Sequence, residues 1–109
     1  MDIQSNLQTM VNVVKKIVPL RKAYLFGSYA YGQPHQDSDY DLYFVVDKIE
    51  GSRYDAIAEI KMALYETTQN SIDVLLSTED RFDSRKDYRG TLEYKVAKDG
   101  VVLYEQETI

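Results

Sequence analysis

Ala23-Tyr24-Leu25-Phe26-Gly27-Ser28, followed after ten intervening residues by Asp39-Tyr40-Asp41-Leu42-Tyr43-Phe44-Val45-Val46, is the stretch from which the fold of this chain is read. The first run is apolar, too short for a helix and closed by a glycine, which predicts a buried strand ending at Gly27. A polar, glycine-bearing loop then extends to Ser38. In the second run, Tyr40 and Leu42 to Val46 are strand formers, and Asp39 and Asp41 stand at the entrance to that strand.

Working outward, Ile3, Leu7, Met10, Val11, Val14, Ile17 and Val18 recur at steps of three and four. This spacing predicts an amphipathic helix from Asp2, as its cap, to Val18, stopped by Pro19. Ser52 caps a second expected helix that runs to about Glu66. Ile72, Val74, Leu75 and Leu76 predict a third strand, interrupted by Asp73, an acid out of place in such a run. The charged stretch from Thr78 to Gly90 has no clear period. Thr91 to Lys98 read as a helix stopped by Asp99-Gly100, and Val101 to Tyr104 as a last strand. The order gives an α+β domain: a small mixed or antiparallel sheet with helices expected on one face.

The chain has 109 residues, 44% hydrophobic and 28% charged, the composition of one globular domain, expected to occupy residues 1–109. Thirteen basic residues against eighteen acidic ones give a net charge of −5, which disfavours direct binding to nucleic acid, where counterion release rewards positive charge. Absence of cysteine excludes a disulfide framework, a thiolate metal site and a cysteine nucleophile. The single histidine, His35, lies in a polar loop and receives no role. No apolar run has the length of a membrane span, and Met1-Asp2-Ile3-Gln4 does not start a secretory signal, so a cytoplasmic protein without membrane contact is expected.

Asp39 and Asp41 carry the first chemical signal. On a strand, residues i and i+2 share a face about 6.6 Å apart, so both carboxylates can converge on a hard cation. If the strand holding Asp73 lies alongside, its acid joins them and completes an oxygen site suited to Mg²⁺. Like charges this close require a counter-ion or a proton, which is the physical case for a metal. Gly27-Ser28 supplies the second signal: a glycine admits close backbone approach, N–H groups at a helical turn favour an anion, and Ser28 adds a hydroxyl donor. A phosphate cradle beside an acid cluster points to an enzyme that handles a nucleoside triphosphate.

The run Gly27-Ser28-Tyr29-Ala30-Tyr31-Gly32 through Asp37-Ser38-Asp39-Tyr40-Asp41-Leu42 resembles the nucleotidyltransferase signature of the DNA polymerase β superfamily, Gly-Ser, ten residues, then Asp-x-Asp. More narrowly, the chain is similar to the minimal nucleotidyltransferases of the MntA type, the antitoxin halves of HEPN/MNT toxin–antitoxin pairs. The resemblance extends to Asp73 in Ile72-Asp73-Val74, at the place of the family's third acid, and to the closing Gly100-Val101-Val102-Leu103-Tyr104-Glu105. It implies that Gly27 and Ser28 hold the triphosphate of ATP and that Asp39, Asp41 and Asp73 are catalytic and ligate two Mg²⁺ ions. It also implies that Asp73 helps deprotonate the attacking hydroxyl. The reaction it implies is transfer of AMP to a tyrosine of a HEPN toxin partner.

In one respect the pattern differs. Many members carry Arg or Lys where this chain has Tyr31, so Lys22, Arg53 or a basic residue between Arg81 and Arg89 would have to supply a cation to the triphosphate. Two alternatives stand beside the adenylyltransferase reading. One is a binding module that neutralises its partner by covering it. The other is a nucleotidyltransferase for a small hydroxylated molecule, for which a homodimer could supply the missing wall of the cleft.

Overall fold

The computed structural model describes residues 3–27, 40–68 and 71–106. Its elements run α1 (Ile3–Lys15), β1 (Leu20–Phe26), β2 (Tyr40–Val46), α2 (Arg53–Leu64), β3 (Ile72–Thr78), α3 (Glu79–Arg85), α4 (Leu92–Asp99) and β4 (Val101–Glu105). The strands form one sheet in the order β3-β2-β1-β4. Pairing is antiparallel between β1 and β2 and between β1 and β4, and parallel between β2 and β3. The parallel pair requires a crossover, which α2 provides.

Sequence dictates this arrangement locally. Helix α1 buries Leu7, Met10, Val11 and Val14, the stripe expected from steps of three and four. Beyond Lys15 the chain tightens into turns, with the Ile17 and Val18 amides both donating to the Val14 carbonyl, and the Pro19 carbonyl accepts from the Asp47 amide at 3.0 Å. Ser52 caps α2 by accepting from the amides of Tyr54 and Asp55 at 3.1 and 3.4 Å. The stretch from Thr78, without a clear period in the sequence, contains α3, capped by the Thr78 hydroxyl, which accepts from the Arg81 amide at 3.3 Å. Thr91 caps α4 in the same way, accepting from the Tyr94 amide at 3.0 Å.

Strand β2 is the centre of the molecule, and it corrects one expectation. Helices cover both faces of the sheet, not one. Tyr40, Leu42, Phe44 and Val46 point into a large core with α1 and α2, through Met10, Val14, Ile60 and Leu64. Tyr43 and Val45 point the other way, into a smaller core with Phe82 of α3 and Val96 of α4. The physical reason lies in the unbroken run from Leu42 to Val46: with no polar residue at alternate positions, neither face can be left to water. Phe82 seals the second core, its ring 5.5 Å from that of Tyr24 and 5.3 Å from that of Tyr43.

Candidate active site

Register places the functional residues. Phe26, the last residue of β1, pairs with Asp41 on β2, and Asp41 pairs with Asp73 on β3. Paired residues on neighbouring strands lie about 4.8 Å apart, and both acids have the parity of Tyr43, so the two carboxylates stand side by side on the face that carries α3 and α4. Asp41 is half-buried and Asp73 exposed. Just beneath them, the Tyr40 amide donates to the Ser71 carbonyl at 2.9 Å and fixes how β3 starts against β2.

Gly27 closes β1 with φ +75°, in the left-handed region. A Cβ on this residue would collide with the Asp41 carboxylate. The absence of a side chain here therefore has a structural use besides the phosphate approach expected from the sequence. It leaves the space in which the Asp41 carboxylate sits.

Of the expected site, Gly27, Asp41 and Asp73 are thus brought together at one end of the sheet. Ser28 and Asp39 lie outside the described residues, as do Tyr31 and His35. Among the described residues no group of three metal-binding side chains occurs. Asp41 and Asp73 offer hard oxygen donors, the kind that Mg²⁺, Ca²⁺ and Mn²⁺ take.

The structure also sorts the basic residues considered as phosphate partners. Lys22 lies on the same face as Asp41 but four residues back from Phe26, about 13 Å along the strand. Arg53 opens α2 beyond the opposite end of β2, and Arg85 is engaged with Glu93. The charge of Arg81 bears on the Tyr43 hydroxyl, two residues beyond Asp41 on the same strand. Lys22, Arg81 and Arg85 thus share the face of Asp41, and Arg53 does not.

Sequence reading missed the clamp that holds this face together. The Tyr43 hydroxyl donates to Glu93 Oε2 at 2.7 Å and is hydrogen-bonded to Ser77 Oγ at 2.9 Å, while Arg85 Nε donates to Glu93 Oε1 at 2.8 Å. β2, β3, α3 and α4 are thereby tied at one point. Burial pushes the Tyr43 hydroxyl well above the usual phenol range, reinforced by its bond to Glu93. For Glu93, only 6% exposed, burial acts to raise the carboxyl. The hydrogen bonds from Arg85 and Tyr43 outweigh it and hold the group below the usual carboxylate range. The one signal available in the sequence was an acid at the second position of a helix whose next turn buries a valine.

The profile of the family described as polymerase beta nucleotidyltransferase matches residues 8–109. The chain belongs to the polymerase β nucleotidyltransferase family. Its fold is shared with solved structures of low sequence identity. A toxin–antitoxin with AMP-PNP superposes with a TM-score of 0.69 at 20% identity, covering 97% of this chain and 76% of the other. A complex of tri-AMPylated HEPN toxin with MNT antitoxin from Shewanella oneidensis gives 0.65 at 19% identity, over 94% and 72% of the two chains. The toxin–antitoxin MntA-HepT gives 0.64 at 18% identity, over 94% and 73%. No curated protein matches the chain. Within the nucleotidyltransferase family, the acid row at the head of β2 and β3 is the candidate catalytic centre, and a nucleotide is the expected substrate class.

Proposed function

We propose that this chain transfers AMP from ATP to a tyrosine hydroxyl of a HEPN-type partner and acts as its antitoxin. The observation that carries the reading is the pairing of Asp41 with Asp73 beside Gly27, in a sequence that continues Gly27-Ser28, ten residues, Asp39-Tyr40-Asp41. Support comes from relatives of the same fold, one holding AMP-PNP and another an AMPylated HEPN toxin with its MNT antitoxin.

Asp39, Asp41 and Asp73 would hold Mg²⁺, which when bound neutralises phosphate charge and lowers the barrier to attack. The chain's own residues supply the rest. Gly27 lets the backbone approach the triphosphate, and the Ser28 hydroxyl donates to it. Asp73, the exposed acid of the pair, accepts the proton of the attacking tyrosine hydroxyl. The phenolic oxygen bonds to the α-phosphorus, the bond from that phosphorus to the bridging oxygen breaks, and pyrophosphate leaves. A single domain over residues 1–109 with ATP as donor suits the cytoplasm.

Intact-mass measurement of the HEPN-type protein after incubation with this chain, ATP and Mg²⁺ tests the proposal. Addition of whole AMP units by the wild type, and none by the Asp39→Asn, Asp41→Asn double variant, is expected. Unchanged mass with the wild type would remove the transferase reading.

A further inference from the structure

Helix α2 is apolar on two sides. Ile60 and Leu64 are buried against the sheet, yet Tyr54, Ala58, Met62 and Tyr65 are exposed, at steps of four, four and three. These four residues make one stripe along the outer side of the helix, about 17 Å long from Tyr54 to Tyr65. Tyr54 is 77% exposed, Met62 72% and Tyr65 54%. A surface helix needs only one apolar stripe to fold against its own core, so the second requires another explanation.

Charge says what would cover it. Asp55, Glu59 and Glu66 follow the stripe along one flank, and among the described residues none of the three forms an ion pair. Asp55 and Glu59 also border a groove of about 420 Å³ whose wall includes Ile17, Val18 and Ala56. The opposite flank carries Lys61, and Arg53 lies over the Tyr54 ring at 6.0 Å, so the stripe fits a helix whose own apolar stripe is bordered by Lys or Arg on the side that meets the acids. A second copy of this chain fits worse, because antiparallel two-fold pairing sets each flank against its own counterpart, carboxylates against carboxylates.

We infer that the outer face of α2 is the docking surface for a basic amphipathic helix of the protein partner. The inference rests on the partner reading given above and extends it, because α2 lies on the sheet face opposite the Asp41–Asp73 pair. Docking there holds the partner and leaves the carboxylate row uncovered.

Binding of the purified HEPN-type protein to the full chain, measured at two salt concentrations, tests this. Tyr54→Ser with Met62→Ser is expected to raise Kd about tenfold or more, the effect of removing central anchors. Glu59→Lys with Glu66→Lys is expected to weaken binding at low salt and flatten its salt dependence. Asp41→Asn is expected to bind like the wild type, and circular dichroism of every variant checks the fold. Wild-type affinity in the Tyr54, Met62 variant would overturn the docking face while leaving the transferase reading intact. Failure of the wild type itself to bind would overturn both. Sedimentation that shows a wild-type dimer made monomeric by the same two serines would assign the face to a second copy and overturn the inference.

Discussion

On the side of α1 and α2 the sheet is covered by Met10, Val14, Ile60 and Leu64 against Leu42, Phe44 and Val46, a large core of apolar packing. On the side of α3 and α4 a small core of Tyr24, Tyr43, Val45, Phe82 and Val96 is joined to the Glu93 clamp and runs out into the Asp41–Asp73 pair. Apolar packing is non-directional and sets stability, whereas hydrogen bonds fix orientation. The face with the carboxylates is the face that carries the Glu93 clamp. Division of labour between the two faces can be tested by substitutions that strike each separately.

Phe44→Ala and Phe82→Ala are expected to have the largest effects, each about 3–5 kcal/mol for a fully buried ring. The comparison lies in how that loss is distributed. Phe44→Ala should lower protection from hydrogen exchange throughout the sheet. Phe82→Ala should open α3 and α4 first, because Phe82 is the contact of α3 with both Tyr24 and Tyr43. Equal loss everywhere in both variants would mean that the two faces fold as one unit.

Glu93→Gln is expected to cost roughly 1–2 kcal/mol at neutral pH, from weakened bonds to Arg85 and Tyr43. Because the native Glu93 carboxyl titrates below its ordinary value of 4.5, its contribution is present above that pH and is lost as pH falls through the native value. Denaturant titrations should therefore show wild-type stability falling below about pH 4.5, less steeply in the variant. Parallel acid limbs would remove Glu93 from the account.

How much of this was legible in the sequence follows from the same residues. Spacing gave α1 and α2, and the apolar runs gave the four strands, because those signals reside in neighbouring residues. The pairing of Asp41 with Asp73 was conditional on β3 lying beside β2, since register between strands is set by long-range packing. Covering of both sheet faces was implicit in Leu42 to Val46 but was not drawn from it, because α3 offered Phe82 as its single buried residue amid mixed charges. For Glu93 the sequence offered only its place in the first turn of α4. Its partners come from 8 and 50 residues away, a separation that no local window spans.

Gly27→Ala is expected to cost about 1–2 kcal/mol for the left-handed conformation and to abolish AMP transfer by displacing the Asp41 carboxylate. Thermal unfolding and the mass assay read the two consequences apart. Asp73→Asn should have the smallest effect on stability, a gain of roughly a few tenths of a kcal/mol from relieving repulsion with the acid directly opposite. Transfer should fall by about two to three orders of magnitude in the same variant. An Asp73→Asn protein that is less stable than the wild type would show the pair to be bonded rather than repelling.

The Gly27–Asp41 contact also makes the routes by which this site can change under mutation one-sided. A side chain at position 27 meets the Asp41 side chain before any other group, so its crowding falls first on that carboxylate. Loss of Asp41 removes the crowding but not the left-handed backbone, so the glycine remains favoured after the acid has gone. A lineage that abandoned catalysis would shed the aspartate first and keep the glycine as its relic.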